Sequence, residues 1–594
     1  MENFAKVAEN ILEYRQLKND IEVGSSPVMI TGLTPVQQSH ILYSLGEQLP
    51  SKILVITHNE ATALSMCSDV NQMCGDGFAG FFPSRDYNLQ NTLSSSHETE
   101  HQRLNVLANL AMDKCKIVFS SIEAACSITI PQEMLISSTM TIKSDKEYKI
   151  DDIVKFLVKT GYTCCDQVEG KCQFAKRGGI IDIFPPNLKN PVRVEFWGDD
   201  IDSLSYFEVD TQRRTDALKS FTITPAREVL INEPQKLIKK LEQIKQSLRG
   251  KFAAEQRETI DTDIENISEN IAINNQDKFI KLLYGNNSIF DYFKDEVFVL
   301  SSPTEAKEAI KNVLWQNGED IKILLEDKVL YSGLDGFYLD FTDVASVFTK
   351  SKSIIFDTFG RNAEGIPLRH IYDIKSLRLS SWSGEYSILK EDLDDYKSSG
   401  YCVLIYGGTE KNAKNLVSDL QRDGFSADYV DDFSEIVPKK IYVTSGSISG
   451  GFDYSQIKFA VISINKSGGG LTAKKPKRAG KNGIKSLSDL SVGDYVVHVS
   501  HGIGVFSGIV KREIHGITKD YIKIRYAGTD ELFVPVTQLD LVTKYIGTKE
   551  DGTVKLNKLN SAEWQKTRQR VKKAVADMAD ELIKLYAERL SAKG

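Results

Sequence analysis

Apolar runs without inside–outside alternation are interleaved with amphipathic helix patterns in the first part of the chain. The runs are SPVMITG (26–32), KILVITH (52–58) and KIVFSS (116–121). Helical patterns fall between or after them, at 35–48, 60–72 and 98–111. Continuous apolar strands joined by helices are typical of a sheet whose two faces are both covered. The pattern therefore predicts a parallel α/β lobe at the start of the chain.

Changes of pattern divide the 594 residues into further segments. Short alternating strands and turn signals predict an antiparallel α+β insert, and a Gly-, Lys- and Pro-rich stretch predicts a flexible linker. A stripe of Val571, Val575, Met578, Leu582 and Leu585 after Ser561 predicts a C-terminal amphipathic helix. The predicted segments are an α/β lobe (1–138), the insert (139–223), the return of the α/β lobe (224–370), a second small α/β domain (371–466), a basic linker (467–486), an all-β module (487–545), and a linker with the terminal helix (546–594).

Composition and charge exclude several classes of protein. With 41% hydrophobic and 26% charged residues, the chain is neither collagen-like nor mostly disordered. No apolar run approaches the ~20 residues of a membrane span, and eight scattered cysteines predict a reducing cytoplasm and no metal site. Residues 474–594 carry 23 Lys and Arg against 14 Asp and Glu, whereas the rest carries 51 against 67. Different regions are therefore expected to meet different partners.

A strand–turn–helix at the start of the chain departs from a phosphate-binding loop. Such a loop reads G-x-x-x-x-G-K-[ST], because its glycines expose backbone N–H groups to phosphate and its lysine neutralises the charge. Here the stretch runs GLTPVQQS, with Gly32 and Ser39 at the right spacing. Gln37 replaces the second glycine and Gln38 replaces the lysine. We predict an inactive phosphate loop.

The acid that such a lobe needs for Mg²⁺ is also missing. A nucleotide-hydrolysing lobe places a carboxylate directly after a buried strand. The candidate strand, Val297–Leu300, continues into Ser301, Ser302 and Pro303. No nucleophile elbow or zinc-protease motif replaces it elsewhere. We therefore expect no catalytic residue, and no enzyme activity, in this chain.

Two segments resemble known families. GYTCCDQVEGKCQFAKRGGIIDIFPPNLKNPVRVEFWGDDIDSLSYFEVDTQRR resembles the second domain of the excision-repair protein UvrB, and more closely its version in the transcription-repair coupling factors, the Mfd family. VGDYVVHVSHGIGVFSGI with YIKIRYAGTDELFVPV resembles that family's RNA-polymerase-interacting domain. The resemblance implies a degenerate UvrB/RecA-like lobe carrying a UvrA-binding insert, a Tudor/SH3-like β-module and a relay helix. The family's ATP-driven DNA translocase lobes have no counterpart here.

The resemblance implies residues for two docking sites. The family's UvrA contacts are two arginines on adjacent strands and a nearby aromatic, which match Arg177, Arg193 and Trp197. The polymerase β subunit is bound by pairing a strand edge, which matches the strand from Gly504 to Ile514. Its candidate contacts are Gly508, Ile509, Val510, Lys511, Arg512 and Glu513. The family has a leucine where this chain has Arg512, so either an apolar contact is lost or Lys511 and Arg512 meet acidic groups.

These observations predict a non-catalytic adaptor that binds RNA polymerase β and recruits UvrA. No cofactor is expected for this chain, since ATP, Mg and most contact with double-stranded DNA belong to the missing lobes. Weak contact between DNA and the basic linker remains open. Two alternatives remain: a UvrB-type, ATP-dependent repair or helicase-like factor, and a CarD-like regulator that binds RNA polymerase.

Overall fold

The described residues of the computed structural model form two compact units, residues 1–89 with 99–472 and residues 90–98 with 473–594. In the first unit the structure describes residues 2–463 apart from 76, 86, 88, 90–98, 250–252, 270–272, 274, 359, 361–362, 376, 380–385 and 434. In the second it describes residues 97–98, 492–498, 501–514, 517–528, 530–535, 542–545, 556 and 558. The predicted linker (467–486) and terminal helix lie outside the described residues. Within the described part, no helix is long and apolar enough to cross a bilayer.

A seven-stranded sheet forms the centre of the first lobe, and every neighbouring pair of its strands is parallel. The strands, in order across the sheet, are His370–Asp373, Val28–Thr31, Lys352–Phe356, Val297–Ser301, Ile53–Thr57, Ile117–Ser121 and Ala79–Phe82. Several of them are buried along their whole length, as the uninterrupted apolar runs predict. The short strand Ala79–Phe82 was not predicted, because it has only four residues and its first two, Ala79 and Gly80, are uncommon in strands.

Helices cover the seven-stranded sheet. The one that follows the first strand begins with Thr34 as N-cap and Pro35 in its first turn, both favourable starts for a helix. The helices of this lobe are Glu2–Ala5, Leu12–Val23, Pro35–Gln48, Glu60–Cys74, Glu98–Ala111, Ile122–Cys126, Gln132–Ser137, Pro234–Ser247, Ala253–Ser268, Ile280–Tyr284, Pro303–Glu326 and Phe341–Lys350, with 3-10 turns at Lys6–Asn10, Gln276–Phe279 and Ile289–Tyr292.

The insert contains a six-stranded sheet and a separate two-stranded ribbon. The sheet runs Arg214–Ala217, Asp200–Phe207, Val192–Trp197, Ile180–Ile183, Gln173–Arg177 and Thr163–Cys164, and the ribbon pairs Met140–Lys143 with Ser220–Ile223. The helix Ile150–Lys159 places Ile153 and Leu157 in one core with Phe174, Ile181 and Val194. One face of the sheet is therefore covered by this helix.

A second α/β lobe follows within the same unit. Its sheet runs Leu377–Leu379, Gly451–Tyr454, Phe459–Ser463, Cys402–Tyr406, Ile441–Thr444 and Ala427–Tyr429, with helices Tyr386–Ser398 and Glu410–Arg422 and a 3-10 turn at Ser455–Ile457. The predicted boundary at 370/371 falls inside the strand His370–Asp373, which pairs with Val28–Thr31 of the first sheet. The two lobes share one hydrophobic core, and in the helix Pro35–Gln48 every residue from Val36 to Gly46 is buried.

The described part of the second unit is an antiparallel five-stranded sheet. Its strands, in order, are Glu531–Pro535, Ile517–Arg525, Gly502–Ile514, Tyr495–His498 and Val542–Lys544. Alternate residues, among them Val496, Phe506, Ile522, Ile524 and Val534, form a small core. Together with the sheets and helices of the first unit, this sheet agrees with the predicted multidomain α/β protein.

Candidate docking sites

The face of the insert sheet turned away from its helix carries the charged residues predicted from the resemblance. Alternation along Val192–Trp197 puts Arg193, Glu195 and Trp197 on one face, while Val192 and Val194 enter the core. Asp182 is paired across strands with Arg193, and Arg177 follows the same alternation on Gln173–Arg177. We call the surface formed by Arg177, Asp182, Arg193, Glu195 and Trp197 the arginine face.

Asp182 joins the two predicted arginines. Arg193 donates from Nε to Asp182 Oδ1 (2.7 Å) and from Nη2 to Asp182 Oδ2 (2.8 Å), and Arg177 donates from Nη2 to Oδ2 (3.1 Å). Arg193 Nη1 also donates to Gln212 O (3.2 Å), and its guanidinium lies 4.8 Å from the Phe207 ring centroid. The prediction that the arginines lie on adjacent strands is wrong, because the strand Ile180–Ile183, which carries Asp182, lies between theirs.

The three predicted contact residues differ in exposure. The Arg193 side chain is 16% exposed and that of Arg177 is 52% exposed. Trp197 is 82% exposed, although an indole normally packs against protein. Arg177 and Trp197 are therefore accessible to a partner, whereas Arg193 is largely occupied within the chain.

In the part of the module that the structure describes, the strand Gly502–Ile514 has no paired strand along part of one edge. Residues 502–505 pair with Tyr495–His498, and a hydrogen bond from Gly493 N to Phe506 O (2.9 Å) closes this pairing. From Gly508 to Ile514 the described pairing is with Ile517–Arg525 alone. We call the other side of residues 508–514 the open edge.

The open edge begins at a bulge. The register shifts between Phe506 and Gly508, and Gly508 has φ +110°, a conformation that favours glycine. Ile509 beside it is 47% exposed. The backbone of Lys511, Arg512 and Glu513 is strand, but their side chains lie outside the described residues. The choice between a lost apolar contact and a charged contact at Arg512 therefore stays a prediction.

In the turn that resembles a phosphate loop, the glutamines are buried and hydrogen-bonded. Gln37 Oε1 accepts from Thr34 N (3.0 Å) and Thr34 Oγ1 (2.7 Å), and its Nε2 donates to Asp453 O (3.1 Å) of the second lobe. Gln38 Oε1 accepts from Ser301 Oγ (3.0 Å). Ser39 Oγ donates to Pro35 O (3.1 Å). Gln38, at the position of the phosphate-loop lysine, and Ser301, at the position of the expected acid, are therefore neutral groups that hydrogen-bond to each other.

The space next to Gly32 is filled by the chain itself. A Cβ on Gly32 would lie 2.5 Å from Ile374 O and 3.1 Å from Asp373 Oδ1. Thr31 Oγ1 donates to Asp373 Oδ1 (2.8 Å). The segment that leaves the first sheet for the second lobe thus passes directly over the turn, and it carries a carboxylate.

Asp182 and Asp373 were both missed from the sequence. Asp182 interrupts the apolar strand GIIDIF, and an acid among residues that alternate into a core is a usable signal of a buried ion pair. Asp373 offered no such signal, because its proximity to Gly32 depends on the order of strands far apart in sequence.

Two family models match the segments that carry these surfaces. Residues 140–229 match the model described as "UvrB interaction domain", and residues 490–546 match "CarD-like/TRCF RID domain". The first range contains Arg177, Arg193 and Trp197, and the second contains the open edge.

Full-length relatives agree with both matches. The chain is 30% identical to a transcription-repair-coupling factor of Bacillus subtilis, over all of this chain and 51% of the relative. It is 29% identical to one of Staphylococcus haemolyticus and 28% identical to one of Staphylococcus aureus, each over 96% of this chain and 49% of the relative. The resemblance to transcription-repair coupling factors is confirmed. The chain spans about half the length of the transcription-repair-coupling factors it matches.

Proposed function

We propose that this chain is a non-catalytic adaptor in transcription-coupled repair, which docks on the β subunit of RNA polymerase and recruits UvrA. What carries this proposal is that each of the two matched segments presents a surface suited to a protein partner: the arginine face in one and the open edge in the other. DNA translocation is proposed only for a complete transcription-repair coupling factor and is not assigned to the residues of this chain.

The arginine face supports the UvrA half of the proposal. An exposed tryptophan and a half-exposed arginine on one rigid sheet are the residue types most enriched at the energetic centres of interfaces. The paired strands around them fix their backbone positions, so binding would order few groups.

The open edge supports the polymerase half. Seven residues, 508–514, present an unpaired strand edge in the described part of the module, and such an edge accepts a strand of another protein through main-chain hydrogen bonds. Pairing of this kind depends little on side-chain identity, so an arginine at position 512 does not prevent it.

The turn at Gly32 does not fit a bound nucleoside triphosphate. Gln37 and Gln38 are committed to internal hydrogen bonds, and Ile374 O occupies the approach to Gly32. The Asp373 carboxylate beside the turn would repel phosphate. We therefore assign no catalytic step to this lobe.

The UvrA half is tested with the whole chain and purified UvrA. The affinity of the wild type is compared with that of Arg177→Ala and Trp197→Ala, which change exposed side chains. Each is expected to weaken binding about tenfold or more, as hot-spot truncations do. The matched control is Lys189→Ala, an exposed residue in the loop at the other end of these strands. Unchanged affinity in both variants refutes the arginine face as the UvrA site.

Two alternatives are separated by direct measurements. A UvrB-type, ATP-dependent factor requires this chain to bind a non-hydrolysable ATP analogue with micromolar affinity, and our proposal expects no binding. A CarD-like regulator requires polymerase binding without any UvrA binding, and our proposal expects both.

A further inference from the structure

The arginine face is built around one buried carboxylate. Asp182 is 1% exposed and receives three charge-assisted hydrogen bonds, two from Arg193 and one from Arg177. An unpaired carboxylate at this depth is strongly unfavourable. The two arginines are therefore held against the sheet by the same group.

The two arginines use that group differently. The Arg193 fork is bidentate on Asp182, its third nitrogen donates to Gln212 O, and the ring of Phe207 lies beside it. The bond described for Arg177 is a single one, from Nη2, and half of its side chain is exposed. A guanidinium has five N–H donors, so Arg177 retains donors for a partner's carboxylate.

We infer that Asp182 is a positioning residue of the docking face: with Arg193 as its internal counterion, it holds Arg177 in the orientation that meets an acidic group of the partner. This inference rests on the proposed function and assigns separate roles to residues that the family resemblance treats as equivalent contacts. Arg193 stabilises the face, whereas Arg177 and Trp197 touch the partner.

Register sets the spacing of the two contact points. Arg177 is opposite Ile180, and Ile180 is opposite Glu195, two residues before Trp197. Arg177 and Trp197 are two strands apart, at about 4.8 Å per strand, and offset by two residues along the strand, at about 3.3 Å per residue. Their Cα atoms are therefore about 12 Å apart. The partner is therefore expected to present an acidic side chain to Arg177 and an apolar surface to Trp197 at that separation.

A double-mutant cycle tests the positioning role. In the whole chain, the affinity for purified UvrA is measured for Asp182→Asn, Arg177→Ala and the double variant. Asp182→Asn keeps the shape of the side chain but removes its charge, and we expect about a tenfold loss. If Asp182 acts through Arg177, the double variant binds no more weakly than Arg177→Ala alone. If the two losses multiply, the inference is overturned.

Variants of Arg193 keep the inference testable if Asp182→Asn does not fold. Arg193→Lys retains a cation beside Asp182 but loses the bidentate fork. We expect it to lose about threefold or less in UvrA affinity, whereas Arg193→Ala loses about tenfold or more together with thermal stability. If Arg193→Lys loses as much as Arg193→Ala while its melting temperature is unchanged, Arg193 itself touches the partner and the inference is wrong.

The measurements distinguish a failure of the proposed UvrA docking site from a failure of the positioning role of Asp182. If Arg177→Ala and Trp197→Ala both bind UvrA like the wild type, the face is not the docking site at all. If they lose affinity but the cycle is additive, the docking site stands and the positioning role of Asp182 falls.

Discussion

His40 is a buried histidine whose two ring nitrogens both have partners within the chain. Nδ1 lies 3.0 Å from Tyr454 Oη and Nε2 lies 3.1 Å from Phe4 O. A neutral ring satisfies both contacts when Nε2–H donates to Phe4 O and Nδ1 accepts from the tyrosine. Burial lowers the pKa of His40 to about 4. The residue is therefore a structural link between the helix Pro35–Gln48 and the second lobe, and not a candidate catalyst.

This histidine should make the first unit sensitive to acid. Because its pKa is lowered in the folded state, the stability it contributes is complete above the ordinary pKa of about 6.5 and falls as pH drops toward 4. At pH 4.5 we expect the wild type to lose about 2 to 3 kcal/mol on this account. Urea unfolding at pH 7.5 and 4.5, compared with His40→Gln, isolates the contribution. Equal losses in the two proteins would show that His40 titrates normally.

For the turn at Gly32, the local sequence gives predictions about the turn itself but not about the residues that pack beside it. The missing glycine and lysine predict that it does not hold phosphate, and the amphipathic pattern at 35–48 predicted the helix Pro35–Gln48 that follows it. That Ile374 O and Asp373 fill the space beside it follows from sheet order, which no local pattern reports.

Substituting this glycine should be costly. Gly32 has φ +83°, and a Cβ there would lie 2.5 Å from the backbone oxygen of Ile374. We expect Gly32→Ala to destabilise the unit by about 2 kcal/mol or more in urea unfolding, from backbone strain plus displacement of the crossing segment. Gly24→Ala is the matched control, since Gly24 has φ +73° but open space around it, and should cost only about 1 kcal/mol. Equal costs would mean that the crossing segment moves freely.

Polymerase binding at the open edge is predicted to depend on the backbone N–H groups of the strand and not on its side chains. Successive N–H groups of a strand point to opposite edges, so Ile509→Pro and Val510→Pro remove donors on different sides of Gly502–Ile514. The proline that faces the open edge should weaken binding to purified RNA polymerase about tenfold or more while the sheet stays folded. The other should unfold the module, because it breaks pairing with Ile517–Arg525.

Ile509→Ala is the side-chain control for this experiment. It trims a residue that is 47% exposed and leaves the N–H in place, so it should weaken binding less than the edge-facing proline. Circular dichroism identifies which proline leaves the sheet intact. If a folded proline variant and the wild type bind polymerase equally, the strand edge is not the contact.

Strand positions were predictable from the sequence, but their neighbours were not. An apolar run such as KILVITH predicts a strand because a parallel strand that is buried on both faces has apolar residues without alternation. Arg177 and Arg193 were placed on adjacent strands from the family resemblance, although the segment GIIDIF between them in sequence also reads as a strand. Their shared partner Asp182, which lies on that strand, was therefore missed. The limit is physical: ion pairs and sheet edges arise from register, which long-range packing decides.

Polar contacts tie the two α/β lobes of the first unit together across their shared core. Gln37 reaches Asp453 O, and His40 reaches Tyr454. Asp69, on the helix Glu60–Cys74, accepts from Ser449 N (2.7 Å) and Ser449 Oγ (2.6 Å) of the second lobe. Because the lobes bury one another's core residues, we expect them to unfold together.

If the lobes unfold together, titration of Asp69 should change the free energy of unfolding of both lobes with pH. Burial raises the pKa of Asp69 to about 6 against the opposing effect of the Ser449 hydrogen bonds. A carboxyl whose folded pKa is raised favours the folded state at low pH, and this advantage disappears as pH rises through about 4 to 6.

Asp69→Asn removes this titration while retaining an acceptor for Ser449. Relative to the wild type, the variant should gain about 2 kcal/mol in free energy of unfolding between pH 4.5 and pH 8, because only the wild type must then bury a charge. Urea unfolding at both pH values measures the gain, and Asp152→Asn, which changes an exposed carboxylate away from the contact between the lobes, is the matched control. Parallel pH curves for Asp69→Asn and wild type would mean that Asp69 is ionised without penalty. A gain seen in only one of two separable transitions would mean that the lobes unfold independently despite their common core.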